Sequence, residues 1–216
     1  MTRTLAVIAK APVAGRSKTR LCPPCTPQQA AMLAEAALRD TLAAVRATPC
    51  ARRVLVLDGD PGAWLPEGFE ILAQRGDGLG ERLAAAFADI DDETFLVGMD
   101  TPQLTPALLR AGLDALDRHD AVLGDALDGG YWGIGLGPGV RHGPTPREVF
   151  HGIPMSEDDT GAAQRRRLQD LGLSVGRLPA LRDVDRMADA VAVAGRIPAS
   201  RFAAAVRALP GREAAA

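Results

Sequence analysis

Short, uninterrupted apolar runs alternate with longer Ala- and Leu-rich stretches along most of the chain, and this alternation is what most constrains the fold. Residues 4–9 (TLAVIA) have no polar side chain inside them, the pattern of a strand buried on both faces. Strands are likewise expected at 53–57, 69–73, 94–98, 121–124, 130–136 and 174–178. Between them lie helical stretches. Thr26 with Pro27 opens a helix running to about residue 47, and Thr105 with Pro106 opens another. Further helices are expected over 81–88, 144–150, 159–171 (stopped by Gly172), 187–194 and 198–209. Strands that alternate with helices predict an α/β chain with a mostly parallel sheet covered by helices on both faces. The expected organisation is a single domain over 1–209 with a disordered tail at 210–216.

In such sheets, ligands bind beyond the carboxyl ends of the strands, near the point where strand order reverses. The loops after strands therefore carry the functional reading. Formal net charge is −2, which argues against non-specific binding to nucleic acid or to a membrane surface. No apolar run approaches the ~18 residues of a membrane span, and the apolar run at 4–9, closed by Lys10, is too short for a secretory signal, so a cytoplasmic location is expected. Three cysteines, Cys22, Cys25 and Cys50, do not make a disulfide scaffold. The Cys22-Pro-Pro-Cys25 spacing falls in a Pro-rich connection and not at a strand-to-helix turn, so incidental thiols are expected there.

Five constellations carry chemistry. Directly after the first strand, residues 10–21 gather Lys10, Arg16, Lys18 and Arg20 around Gly15. A glycine admits an anion close to the backbone, and the cations neutralise phosphate charge. The pattern is not that of a Walker loop. Next, a buried strand delivers Asp100 to the sheet edge ahead of Pro102. There it is suited either to a hard divalent cation bridging substrate phosphates or to a local turn or cap. The third is Asp128-Gly129-Gly130-Tyr131-Trp132, where paired glycines leave room beside the backbone. Its aromatics stand either in the core or stacked on a base or sugar. The fourth is Arg182-Asp-Val-Asp185, in which Asp183 and Asp185 share a side if extended. One of them completes a metal site with Asp100, or Asp185 caps a helix, and both roles are compatible. The last, Gly78-Leu-Gly80-Glu-Arg82, opens a helix whose amides either receive an anion or form a plain connection.

In order along the chain stand Lys10-Ala-Pro-x-x-Gly15-x-x-Lys18-Thr-Arg-Leu21, Gly78-Leu-Gly-Glu-Arg82, Gly98-x-Asp100-x-Pro102-x-Leu104, Asp128-Gly-Gly-Tyr131-Trp-x-Ile134-Gly135-Leu136, Val149-Phe150-x-Gly152-Ile153 and Arg182-Asp-Val-Asp185. This set resembles the small bacterial glycosyltransferases typed by arsenosugar biosynthesis. The resemblance spans residues 5–189. It implies a glycosyltransferase-A-like, Rossmann-like fold and a nucleotide-diphospho-sugar donor. It also implies Mg²⁺ or Mn²⁺ on Asp100, donor-phosphate contacts from Lys10 and Lys18, and Asp185 as a further site residue. Asp128 is implied as a further site residue that orients an acceptor or acts as base. The chain departs from the family after Ile153-Pro154, where Met155 stands in place of an expected Trp and Glu157, Asp158 and Asp159 follow.

Sugar transfer to a small acceptor is thus the leading expectation. Nucleotidyl transfer to a phosphorylated metabolite is the alternative. The same fold houses 2-phospholactate guanylyltransferase, whose first basic loop is similar to Lys18-Thr19-Arg20-Leu21. A non-catalytic nucleotide-binding protein is the third. Expected nucleotide or phosphate contacts are Lys10, Gly15, Arg16, Lys18, Arg20, Gly78, Gly80 and Arg82; expected substrate contacts are Gly129, Gly130, Tyr131 and Trp132.

Overall fold

The structure is a computed structural model and describes residues 3–137, 140 and 143–210. The expectation of a disordered tail falls almost wholly on residues outside this set. Seven strands form one sheet: β1 (Arg3–Lys10), β2 (Arg52–Asp58), β3 (Glu70–Ala73), β4 (Glu93–Gly98), β5 (Ala121–Ala126), β6 (Tyr131–Leu136) and β7 (Val175–Leu181). The helices are α1 (Pro27–Ala47), α2 (Leu79–Ile90), α3 (Pro106–Ala115), α4 (Pro146–Phe150), α5 (Thr160–Asp170), α6 (Met187–Arg196) and α7 (Arg201–Arg207), and a 3₁₀ turn spans Thr19–Leu21. Strand order is β3-β2-β1-β4-β6-β5-β7. All pairings are parallel except those of β6, which runs antiparallel to both β4 and β5. The reversal of strand order lies between β1 and β4, so the crevice of an open α/β sheet opens beyond Lys10 and Gly98.

Side chains alternate across each central strand, which places two apolar layers on opposite faces. On one face Leu5, Val7, Phe95 and Val97 pack with Leu38 and Leu42 of α1 and Leu109 and Leu113 of α3. On the other, Ala6, Val54, Val56, Leu96 and Ile134 pack with Leu83 and Phe87 of α2, Phe150 of α4 and Leu168 of α5. A third cluster, with Leu33, Val193, Phe202 and Val206, fixes α6 and α7 onto α1. The same cluster holds Leu21, beyond β1, and Val184, beyond β7, and so braces both segments from behind.

Local chemistry sets the helix starts. Thr26 and Gln29 form a reciprocal capping box, with Gln29 N donating to Thr26 Oγ1 at 3.2 Å and Thr26 N donating to Gln29 Oε1 at 2.8 Å. Thr105 Oγ1 accepts from Leu108 N at 3.2 Å. The glycines of β6 have a packing reason. A Cβ on Gly133 would stand 2.9 Å from the Phe95 ring, and one on Gly124 of the neighbouring strand 2.3 Å from the Trp132 indole. The two rings meet edge to face, with centroids 5.8 Å apart. Among the described residues, no helix is long and apolar enough to cross a membrane.

Candidate functional site

A cleft of about 600 Å³ opens at the carboxyl ends of β1 and β4. Segments from across the chain reach it. The loop after β1 supplies Lys10, Arg16, Lys18 and Arg20; the start of α2 supplies Gly78 and Arg82; the exit of β4 supplies Asp100 and Thr101; the segment after β7 supplies Asp183 and Asp185. Because β6 is antiparallel, its first residues, Tyr131 and Trp132, reach the same edge.

The basic loop is tied down from inside. Ser17 is buried and its Oγ donates to Ala11 O at 2.8 Å, while the amides of Arg16 and Ser17 both donate to Val13 O. The next residue, Lys18, takes a left-handed conformation with φ of 53°. That conformation costs a non-glycine residue roughly 1–2 kcal/mol. It turns the Lys18 side chain inward, where only 8% of it stays exposed. Its ammonium lies 2.7 Å from Asp100 Oδ1 and 3.8 Å from Asp185 Oδ1, and it donates to Val184 O. Arg20 Nη1 holds the other oxygen of Asp185 at 2.7 Å. Val184 N donates to Asp100 O at 3.0 Å, which fixes the segment after β7 against the exit of β4.

Asp183 faces a different environment. Its Oδ1 accepts from the Thr101 hydroxyl at 2.9 Å. Burial pushes its carboxyl from 3.8 up to about 7, the charges of Asp100 and Asp128 push the same way, and Thr101 and Lys18 pull against them. Asp128 does not line the cleft; its Oδ1 accepts from Gly130 N at 3.0 Å, and its charge still reaches Asp183.

Among the described residues, no three carboxylate, imidazole or thiolate side chains are placed to hold a metal ion together. The Lys18 ammonium nevertheless rests in a cradle made only of oxygens, from Asp100, Asp185 and the Val184 carbonyl. Hard cations such as Mg²⁺ and Mn²⁺ favour that donor set, and Mg²⁺ is commonly held by one or two carboxylates with substrate phosphates completing the shell. Asp100 and Asp185 therefore fit the metal that the sequence led us to expect.

Other expected residues stand differently. Lys10 and Arg16 are exposed at the cleft, with no carboxylate in salt-bridge range among the described residues. Arg82 is already engaged: Nη1 donates to Asp58 Oδ2 at 3.1 Å and to Gln74 Oε1 at 3.2 Å, and Nε to Gly76 O. Gln74 in turn donates to Ala9 O at 2.8 Å, bracing the end of β1. Neither Asp58 nor Gln74 is marked by a motif, and only the parallel pairing of β2 with β1 and of β3 with β2 brings them here. Gly15 lies on the loop outside the cleft lining, and Gly80 backs onto Phe150 O and Met155 instead of facing the cleft.

The room expected beside Gly129 and Gly130 is filled by the chain itself. A Cβ on Gly129, at φ of 92°, would lie 1.7 Å from Asp158 O, and Gly161 N donates to Gly129 O at 2.8 Å. Trp132 is a core residue, 1% exposed, with Nε1 donating to Pro179 O at 3.1 Å. Tyr131 is packed among apolar side chains, and burial raises the pKa of its hydroxyl. Gly129→Ala is accordingly expected to destabilise the fold by more than the roughly 1–3 kcal/mol of backbone strain alone. Gly15→Ala serves as comparison, since Gly15 also has positive φ (77°) but no atom within 4 Å of its Cβ position. Calorimetry should show a clearly larger fall in Tm for the first; equal falls would mean that the Asp158 backbone yields freely.

Comparisons with known proteins fit this geometry. A structure from Desulfovibrio desulfuricans G20, provisionally assigned as a nucleotide-diphospho-sugar transferase, is 28% identical, with a TM-score of 0.86 over 96% of this chain and 95% of that one. Rv0371c from Mycobacterium tuberculosis H37Rv, solved as a complex with manganese, is 21% identical, with a TM-score of 0.56 over 89% of this chain and 97% of that one. The 4-diphosphocytidyl-2C-methyl-D-erythritol synthase of Anaerococcus prevotii DSM 20548 is 9% identical, with a TM-score of 0.59 over 91% and 96% of the two chains. The last two share the fold alone. The chain thus has the α/β fold of the nucleotide-diphospho-sugar transferases. No curated protein sequence matches it. A family profile does match, over residues 41–157, a stretch that carries Asp100 and Asp128 but ends before Asp183 and Asp185. Matched over more than half of its length, the chain belongs to the uncharacterized family of proteins conserved in bacteria, DUF2064.

Proposed function

We propose that this protein is a divalent-metal-dependent transferase acting on a nucleotide-linked donor, with sugar transfer from a nucleotide-diphospho-sugar to a small acceptor as its reaction. The observation that carries the reading is the pairing of Lys18 with Asp100 and Asp185 in one cleft at the reversal of strand order. Cationic side chains and carboxylates from segments up to 167 positions apart in sequence meet where α/β sheets bind phosphates.

Asp100 and Asp185 would hold the metal. When bound, Mg²⁺ or Mn²⁺ supplies charge neutralisation for the diphosphate and for the departing nucleoside diphosphate. Lys10 and Arg16, which have no carboxylate partner among the described residues, take phosphate oxygens from the mouth of the cleft. Gly78, at the N-terminus of α2, presents backbone amides to the same anion. Arg82 acts from behind, holding Asp58 and Gln74 and so the end of β1. Asp128 stays in the reading as a carboxylate that orients the acceptor from outside the cleft lining, where its charge is still felt by Asp183. Acceptor choice falls to the Tyr131 side of the cleft, where Met155 stands against the Tyr131 hydroxyl in place of an expected Trp.

A second reading, nucleotidyl transfer, is favoured by the surplus of cations. Lys10 and Arg16 in addition to Lys18 and Arg20 would suit the larger charge of a triphosphate. The products separate the two. Sugar transfer releases a nucleoside diphosphate and nucleotidyl transfer releases pyrophosphate.

Thermal denaturation with UDP, GDP, CDP, ADP and their triphosphates, each with and without Mn²⁺, tests the shared part of both readings. A ligand at 100 times its Kd adds about 2.7 kcal/mol. At this chain length that corresponds to roughly 5–10 °C. The expected result is a metal-dependent rise with at least one nucleotide. No such rise with any of them, or with nucleotide-sugars, overturns both readings.

A further inference from the structure

We infer that Lys18 is a resident cation that fills the metal position between Asp100 and Asp185 and is expelled from it when the metal binds. The inference rests on the proposed metal site.

Three observations on different levels point to it. The Lys18 ammonium is enclosed by oxygen atoms of Asp100, Asp185 and Val184, the same donors that fit a hard cation. The Asp100 and Asp185 carboxylates both face the one ammonium, so an empty position would leave like charges facing one another. The ammonium relieves that repulsion in the absence of metal. A metal ion and the ammonium cannot both stand between Asp100 and Asp185, since two positive charges in contact repel.

The choice of side chain fits the same conclusion. The chain has 25 lysine and arginine residues, and only Lys10 and Lys18 are lysines. Both line the cleft. Arginine would grip Asp100 with a planar two-pronged fork, whereas lysine brings a compact charge on a flexible stem. A compact, swinging charge suits a position that must be vacated. Lys18 also sits at φ of 53° on a loop pinned by Ser17, so its backbone can stay in place while the side chain swings. Once expelled, the ammonium lies within reach of phosphate oxygens at the cleft mouth, so arrival of metal and release of a phosphate-binding cation are one event.

Having only two lysines gives a direct test on the unmodified protein. Acylation with a small amine-reactive ester, read by peptide mass spectrometry, compares buried Lys18 with exposed Lys10 as internal reference. In chelator, Lys18 is expected to react at least tenfold more slowly than Lys10. At saturating Mn²⁺, with saturation marked by the point at which added metal no longer loses its free Mn²⁺ resonance, the Lys18 rate should rise at least fivefold while Lys10 stays unchanged. In parallel, Lys18→Met is expected to bind Mn²⁺ at least tenfold more tightly than the unmodified protein. If Mn²⁺ binds but Lys18 stays equally protected, the inference is overturned and the metal reading stands. If neither protein binds Mn²⁺, the metal reading falls and the inference falls with it.

Discussion

Asp100→Asn is expected to abolish the metal-dependent stabilisation by nucleotide and to lower turnover of the cognate donor by about 10²–10³. The size follows from the several kilocalories per mole that a metal contributes to charge stabilisation in a reacting phosphate, each ~1.4 kcal/mol being a factor of ten in rate. Asparagine keeps the shape and one acceptor oxygen but removes the charge that a divalent ion needs. The folded state should hardly notice. Asp100 is 40% exposed, and the buried Lys18 ammonium keeps Asp185 and the Val184 carbonyl as partners, so the loss of the Asp100 charge is worth about 1 kcal/mol. The discriminating pattern is therefore a normal Tm without ligand, no additional rise with nucleotide and Mn²⁺, and collapsed turnover. A variant that keeps full turnover would remove Asp100 from the reaction. A protein that binds nucleotide and never consumes it, with Asp100→Asn altering affinity alone, would be a binding protein and not a transferase.

Asp183→Asn is expected to stabilise the metal-free protein at neutral and alkaline pH and to leave it unchanged in acid. The sign follows from the direction of the shift. Asp183 has its carboxyl raised from 3.8 to about 7 in the folded state, first by burial and then by Asp100 and Asp128. Below about pH 4 the carboxyl is protonated in both folded and unfolded chains, and the variant gains nothing. Between about 4 and 7 the unfolded chain gives up its proton while the folded chain retains it, so the unmodified protein loses stability as pH rises. Above about 7 the penalty is complete, of order 2–4 kcal/mol. Asparagine removes the ionisation, and its side-chain oxygen can still accept from the Thr101 hydroxyl. Denaturant midpoints at pH 4, 5.5, 7 and 8.5 should show the gap opening over that range. Saturating Mn²⁺ should narrow it, since a neighbouring divalent charge favours the carboxylate. A gap that is constant across pH would mean that the substitution acts through packing and not through charge.

The stretches that form strands and helices were legible because each is a local matter. Apolar runs without polar interruption, Thr-Pro helix starts and a stopping glycine act within a few residues, and β1, β2, β4 and α1 form within a residue or two of the expected bounds. Lys18 and Asp100 were legible as site candidates because loops after β1 and β4 of an open α/β sheet converge on one edge whatever the details. The antiparallel run of β6 was not, since strand direction depends on which neighbour a segment finds and its own apolar pattern is the same either way. That single reversal decided how Tyr131 and Trp132 reach the cleft edge.

Sequence alone determined the periodicities, the caps, and a basic loop and a carboxylate placed after strands, because these are properties of near neighbours. Tertiary structure alone decided what the charged and aromatic residues do there. It buried the Trp132 ring against Phe95, filled the space beside Gly129 with the Asp158 backbone, and tied Arg82 to Asp58 and Gln74. It also set Lys18 among the oxygens of Asp100, Val184 and Asp185. The physical reason is range. Backbone preference is set over three or four residues, whereas burial and charge depend on what comes within about 4 Å in space, and here those neighbours lie as much as 167 positions away along the chain.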